Sequence, residues 1–142
     1  MAGIDETRII NGIFGAVYLD GKWLTNFTHV EASDEYDWTE IKLSGDRRTK
    51  HKLLGVKGSG TISGYKVTSE LQKALVENPL GQYQVISKLD DPEAYGAERI
   101  RFSKVKFTKN NLANWKVGEI VEEEWPFVYD DEPEFVDAIT AS

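Results

Sequence analysis

The strongest constraint on the fold is the alternation of apolar and polar residues in the stretch 98–129. In its first part Ile100 and Phe102 alternate with polar side chains, the period of two that places apolar groups on one face of a β-strand. From Val105 onward the apolar residues fall on the other parity. We therefore predict a bulge at Ser103–Lys104, which returns both apolar pairs to the same face. Such bulges are typical of curved sheets.

The second part of this stretch is acidic and aromatic, and it predicts a second strand. The acidic run Glu122–Glu124 precedes Trp125, Phe127 and Tyr129, which share one parity. The basic side chains of the first part are Arg99, Arg101, Lys104 and Lys106. Antiparallel pairing of the two parts would set opposite charges across from each other, and each such pair contributes roughly 0.2–1 kcal/mol. Energies of this size help to set the register of the pairing more than they stabilise the fold.

Two earlier segments also carry strand signals. Asp20-Gly21 lies between apolar runs and predicts a β-hairpin, because a type I′ turn needs a positive φ at both central residues. The stretch 25–44 alternates with two changes of parity. This pattern predicts either two strands or one long strand broken by bulges around Ser33 and Thr39.

One short helix is predicted at Glu70–Glu77. Ser69 and Gln72 match a capping box, and Pro79 prevents the helix from continuing. A helix of this length needs a sheet to lie on. The elements together predict a mainly β fold, a β-sandwich or partly closed β-barrel with one short flanking α-helix.

Composition excludes several classes of protein. The 142 residues fit one domain spanning 1–142, and the absence of cysteine excludes disulfides and thiolate metal sites. The sequence shows neither an apolar run long enough to span a bilayer nor a signal peptide, so we expect a chain that is cytosolic when made and has no membrane partner. His29 and His51 have no partners at metal-ligand spacing. We find no nucleophile or phosphate-loop motif, and predict no enzyme, no metal and no cofactor.

The charge distribution singles out one segment. The net charge of −7 disfavours sequence-independent binding to nucleic acid, because phosphate contacts need clustered Lys and Arg. We predict an exposed arm at about 44–57 and a short acidic tail at 130–142. The basic residues of the arm are Arg47, Arg48, Lys50 and Lys52, with His51 among them.

Three interpretations of the arm are open at this point. It is a solvated loop, a contact with an acidic surface of another copy, or a nucleic-acid site in which Trp38 or Tyr65 stacks on bases. The last would make the chain a nucleic-acid-binding β-barrel module that uses Arg47 to Lys52. A further alternative is a closed barrel around a small apolar ligand, for which the sequence offers no polar group that would orient the ligand.

The C-terminal third resembles a known family. Residues 99–107, the run Leu-Ala-Asn-Trp-Lys-Val-Gly-Glu-Ile at 112–120, and Glu-Glu-Glu-Trp-Pro-Phe at 122–127 are similar to the XkdM-like family of bacteriophage tail tube proteins. The order of the early hairpin, the arm, the glycine-rich strand, the helix and the final strand pair is also that of the family.

The resemblance implies a β-sandwich flanked by a helix, six copies of which form a ring with a continuous inner barrel. Rings stack into the inner tube of a contractile tail or phage-like particle. The implied partners are other copies of the chain, the tail sheath protein, the tape-measure protein, a baseplate initiator, and DNA as transient cargo. The implied location is the virion tail, with assembly in the bacterial host cytoplasm.

Two groups of residues follow as hypotheses. The first group would contact a neighbouring ring or subunit through the arm, and it comprises Arg47, Arg48, Lys50 and Lys52. The second would supply an acidic channel wall, and it comprises Glu31, Asp34, Glu35, Asp37 and Glu40. An acidic wall lets DNA slide, since a basic wall would bind its phosphates.

Overall fold

The computed structural model describes residues 5–140, which form one antiparallel sheet of eight strands and one α-helix. The strands are β1 (Gly15–Leu19), β2 (Lys22–Trp23), β3 (Phe27–Ile41), β4 (Lys50–Tyr65), β5 (Tyr83–Leu89), β6 (Glu98–Phe107), β7 (Glu122–Tyr129) and β8 (Glu134–Asp137). The helix α1 spans Glu70–Glu77, and short 3-10 turns lie at Glu6–Arg8 and Gly12–Phe14.

The sheet is strongly curved and remains open. Its strand order is β2-β1-β5-β6-β7-β4-β3, and β8 pairs with β6. The β1–β5–β6 half and the β7–β4–β3 half enclose a core to which both contribute. The most buried side chains are Val17, Ile62, Leu75, Val85, Phe102, Val105, Trp125, Phe127 and Tyr129. The prediction of a mainly β fold with one short helix is confirmed, whereas the strand ladder does not close into a barrel.

The bulge that turns β6 from one half to the other lies where the alternation predicts it. Val85 pairs with Phe102 and Tyr83 pairs with Val105, so β6 carries one residue more than β5 over this interval. Lys104 has a φ of 52°, the left-handed conformation that a bulge can require. Phe102 and Val105 are consequently both buried.

The turn between β1 and β2 is also confirmed. Asp20 and Gly21 have φ values of 50° and 83°, and Tyr18 pairs with Trp23 across the hairpin. Positive φ at both central residues is the requirement of a type I′ turn, which the Asp-Gly dipeptide satisfies at low cost.

The stretch 25–44 contains one long strand rather than two, but its irregularities differ from the prediction. The register between β3 and β4 shifts after Phe27 and again between Asp37 and Trp38. No shift occurs at Ser33. At the second shift the extra residue is Leu54 on the partner strand β4, a position that the pattern of β3 alone does not reveal.

The helix has the predicted bounds but not the predicted cap. Ser69 makes no side-chain bond to the first turn, and the side chain of Gln72 is buried instead of reaching back to residue 69. Its amide group bonds the backbone of residues 111 and 112. The Gln72 side chain is therefore engaged in a tertiary contact and does not complete a capping box.

The predicted charge pairing between the two C-terminal strands is wrong. β6 pairs with β7 only from Val105 to Phe107, while the acidic run Glu122–Glu124 pairs with β4 at positions 63–65. The basic residues of β6 instead face the acidic segment that follows β7. The ion pairs are Arg101–Glu134 at 3.2 Å, Lys104–Asp131 at 3.4 Å and Lys106–Asp130 at 2.5 Å. The basic residues of β6 are therefore paired with acidic residues at 130–134, just after β7, and not with the acidic run Glu122–Glu124.

Candidate assembly surfaces

The most prominent surface is the far half of the β3–β4 hairpin, residues 34–57, which we call the arm. Gly58 is the last residue of β4 that pairs with β7, opposite Tyr129, so residues beyond it extend away from the core as a two-stranded ribbon. The segment predicted as an arm at 44–57 is its tip and returning strand. In the part of the chain that the structure describes, β3 is also the end strand of the sheet. Both faces of this ribbon and the unpaired edge of β3 are thus available for contacts with other molecules.

One face of the arm is apolar and exposed. Residues directly opposite in an antiparallel pair lie on the same face, and Tyr36 pairs with Val56 while Trp38 pairs with Leu53. These side chains continue the core-facing side of β3, yet Tyr36 is 58% exposed and Trp38 is 56% exposed. A large apolar patch of this kind marks an interaction surface. The sequence interpretation missed it and placed the contact on basic residues.

The basic residues lie at the tip and on the opposite face. Lys52 pairs with Thr39 and Lys50 with Ile41, on the face that also carries Glu35 and Lys57. Arg47 and Arg48 lie in the exposed turn that joins the two strands. The structure therefore brings all four predicted arm residues, Arg47, Arg48, Lys50 and Lys52, to one end of the molecule.

The five predicted wall residues do not share one face. Glu31, Glu35 and Asp37 lie on the side of the sheet that faces away from the core, whereas Asp34 and Glu40 lie on the side of Tyr36 and Trp38. Asp34 accepts a hydrogen bond of 2.6 Å from the hydroxyl of Tyr129. The acidic series is therefore split by the alternation of side chains along β3.

The Tyr129–Asp34 bond depends on a glycine between the two residues. Asp34, Gly58 and Tyr129 form one row across three strands, and the Tyr129 ring lies over Gly58. Burial, and then the bonded Asp34 carboxylate, raise the pKa of the Tyr129 hydroxyl, so this group remains a donor at neutral pH. We expect Tyr129→Phe to lower the free energy of unfolding by about 1.5 kcal/mol, as for hydrogen bonds to charged groups.

This loss is measured by urea denaturation of the purified monomer. Tyr65→Phe is the matched control, because Tyr65 lies exposed at the end of β4. We expect its unfolding free energy to stay within about 0.5 kcal/mol of the original chain. Equal effects of the two substitutions would contradict a stabilising Tyr129–Asp34 bond.

The outer face, the side of β3, β4 and β7 away from the core, is polar. Its rows are His29–Ser63–Glu124 and Glu31–Thr61–Pro126. All of these residues except Pro126 line an open trough of about 380 Å³ together with Glu122. Hydroxyl and carboxylate groups dominate this surface. Among residues 5–140 no group of three His, Asp or Glu side chains is arranged to hold a metal ion. The carboxylates around the trough form a surface that repels polyanions. On the arm the same face has mixed charge, because Lys50, Lys52 and Lys57 lie on it with Glu35 and Asp37.

The structure separates the residues of the nucleic-acid interpretation. Trp38 lies on the apolar face of the arm, while Lys50 and Lys52 lie on the opposite face, and Tyr65 lies at the far end of β4. A stacking platform needs aromatic and basic groups on one surface. In the core the aromatic ring of Phe102 packs in tilted contact against those of Phe127 and Tyr129.

Comparison with known proteins decides the family. A family model described as a phage tail tube protein matches residues 2–137. The chain belongs to the phage tail tube protein family. Two relatives from Bacillus subtilis (strain 168), the phage-like element PBSX protein XkdM and the uncharacterised protein YqbM, are each 33% identical to this tail tube protein over 130 residues. The match covers 86% of the chain and 87% of each relative, and it confirms the resemblance to XkdM-like proteins.

Solved structures show the same fold at low sequence identity. A chain from the sheath-tube complex of an extracellular contractile injection system in the extended state superimposes with a TM-score of 0.69 at 12% identity, covering 96% of this tail tube protein and 100% of that chain. A chain from the tube-terminating cap of the anti-feeding prophage also gives 0.69 at 12% identity, with 89% and 91% covered. Among the described residues no helix is long and apolar enough to cross a membrane.

Proposed function

We propose that this tail tube protein builds the inner tube of a contractile tail or phage-like particle, with six copies in each ring and rings stacked end to end. The single observation that carries the proposal is the arm, the far half of the fifteen-residue strand β3 with its partner β4, which extends past the core with an exposed apolar face. An isolated copy leaves this face in water. Assembly buries it and gives the free edge of β3 a strand to pair with.

The outer face is the proposed wall of the channel. Glu31, Glu35 and Asp37 lie on it, and Glu122 and Glu124 extend it along β7. Duplex DNA carries one charge per about 1.7 Å of axis, so the carboxylates around Glu31, Glu122 and Glu124 would repel the cargo rather than bind it. Towards the arm the charges on this face are mixed, because Lys57 lies opposite Glu35. Asp34 and Glu40 are not part of this wall.

The proposed partners follow from this arrangement and from the similar structures. Those structures come from a sheath-tube complex, a tube cap and a baseplate. In this chain we assign the partners as other copies, a sheath protein, a tape-measure protein, a baseplate initiator and DNA in transit. The role is structural rather than catalytic, in a particle tail that assembles in the bacterial cytoplasm.

Charge reversal at the arm tip tests the proposal. Arg47→Glu combined with Arg48→Glu places negative charge at the end of a surface that would approach acidic copies, so we expect tubes to be shortened or absent. Both residues are exposed, and the monomer should therefore keep its circular dichroism spectrum and unfolding midpoint. Tube length is measured by negative-stain electron microscopy of concentrated protein.

Lys73→Glu, at an exposed position of α1, controls for added negative charge. Tubes of unchanged length from the double variant would show that the arm tip makes no such contact. Absence of rings and tubes from the original chain at high concentration would count against the proposed function itself. A DNA gel shift at near-physiological salt should show no retarded band, whereas retardation would favour the nucleic-acid-binding alternative.

A further inference from the structure

The loop 109–121 carries a second exposed apolar surface that the channel and the arm do not explain. It joins β6 to β7 and contains the run at 112–120 through which the chain resembles its family. Its apolar side chains point away from the core, with Trp115 68% exposed and Val117 93% exposed. The others are Leu112 and Ile120. Four large apolar groups in one exposed loop are an unusual concentration for a soluble monomer.

The loop is held in place by a buried glutamine. Gln72 of α1 donates from its amide nitrogen to the carbonyl oxygens of Asn111 and Leu112, and its own backbone carbonyl accepts a bond of 3.2 Å from the Asn110 side chain. Lys66 donates to the other end of the Gln72 amide at 2.8 Å. The Asn111 side chain also bonds the Glu124 carbonyl. The first half of the loop is thus fixed to both the helix and the sheet before any partner arrives.

The loop and the arm lie at opposite ends of the same strands. The backbone of Val121 accepts a bond from Lys66 beside the Tyr65–Glu122 pair, which is one end of the β4–β7 ladder. The arm begins beyond the Gly58–Tyr129 pair, which is the other end. An arm therefore points away from its own loop, and it can meet a loop only on another copy.

The two surfaces complement each other in polarity and charge. The arm presents the apolar side chains of Tyr36 and Trp38, and residues 44–57 carry five Lys or Arg against one Asp. The loop presents Trp115 and Val117, and residues 109–121 themselves carry one Glu against two Lys. The acidic charge lies beside the loop, in the run Glu122–Glu124 at the start of β7. Both surfaces therefore offer apolar area to bury, and the basic tip of the arm complements the acidic run that borders the loop.

We propose that the loop 109–121 is the receptor for the arm of a second copy of this chain. The contact is heterologous, because the arm of one copy uses the loop of the next and leaves its own loop free, so the same contact repeats along a stack. Trp115 and Trp38 are the aromatic anchors. This assignment rests on the proposed tube function and names the surface that the arm engages.

Site-directed cross-linking tests the contact, and the absence of native cysteine makes the reagent specific. Leu54 of the arm and Val117 of the loop are both exposed in the monomer, at 63% and 93%. The variant Leu54→Cys with Val117→Cys, assembled and treated with a short bismaleimide, should give a ladder of covalent oligomers on a denaturing gel. Each single-cysteine variant lacks one half of the contact, so it should not extend beyond dimers.

A second pair controls for random collision. Ile13 is 79% exposed and lies outside the loop, so Leu54→Cys with Ile13→Cys should give no ladder. A Leu54–Val117 ladder no longer than that of the control pair, from samples that form tubes by electron microscopy, would overturn the arm–loop contact while leaving the tube function standing. Samples without tubes or rings would instead count against both.

Discussion

Replacing Tyr36 and Trp38 with serine is expected to abolish rings and tubes while leaving the monomer folded. Both side chains are more than half exposed, so the folded monomer gains little from them and its unfolding free energy should change by less than about 1 kcal/mol. Burying one aromatic side chain at an interface contributes roughly 1.5–3 kcal/mol. Loss of both would weaken each contact by about 4 kcal/mol, on the order of a thousandfold. Since every copy uses the contact, polymers should disappear.

The measurement is sedimentation of concentrated protein, with electron microscopy of the pellet and thermal unfolding of the supernatant. Trp23→Ser is the matched control, because Trp23 has the same exposed fraction of 56% but stacks on Tyr18 within its own hairpin. We expect this control to sediment as the original chain does. Normal tubes from the Tyr36 and Trp38 variant would show that the apolar face of the arm is not an assembly surface.

The features that sequence predicts well here are those that a few neighbouring residues determine. Asp20-Gly21 specifies its turn because both residues tolerate positive φ, and the change of parity at Ser103–Lys104 marks a bulge within one strand. The bounds of Glu70–Glu77 are likewise encoded by the apolar stripe and the proline that follows. In each of these cases the local sequence determines the conformation, and no tertiary contact overrides it.

Strand partners were harder to predict because they depend on distant segments. The acidic run of β7 pairs with β4, about sixty positions earlier in the chain, where glycines accept the aromatic rings of Phe127 and Tyr129. The charge pattern favoured β6 instead. Each charge pair contributes only roughly 0.2–1 kcal/mol, whereas burial of one large aromatic side chain contributes more. Packing therefore determines which strand pairs with the acidic run.

The candidate site shows the same limit. Alternation along β3 establishes that Tyr36 and Asp37 point to opposite sides, but it does not establish which side continues the core. The extra residue Leu54 lies on the partner strand, and the end of the core at Gly58 depends on where β7 stops. The exposed apolar face of the arm can therefore be recognised only once the pairing of β3, β4 and β7 is known.

The second large effect concerns Gly60, which lies in the row Ala32–Gly60–Phe127 on the core side of the sheet. A Cβ atom on Gly60 would stand 2.4 Å from the carbonyl oxygen of Glu31 and 2.7 Å from the ring of Phe127. The first neighbour is backbone and cannot move without disturbing the β3–β4 ladder. Side chains forced into packed regions typically cost 1–3 kcal/mol. We expect Gly60→Ala to lower the free energy of unfolding by about 3 kcal/mol.

Gly55 on the same strand provides the matched control. A Cβ atom there has no neighbour within 4 Å, because Gly55 lies in the arm beyond the core. Gly55→Ala should therefore leave the unfolding free energy unchanged or raise it by up to about 1 kcal/mol, through the lower entropy of the unfolded chain. Urea denaturation of both monomers measures the difference. Equal stability of the two variants would mean that β3 and Phe127 do not approach β4 closely at Gly60, and that the glycines of this strand are not what lets aromatic rings cover it.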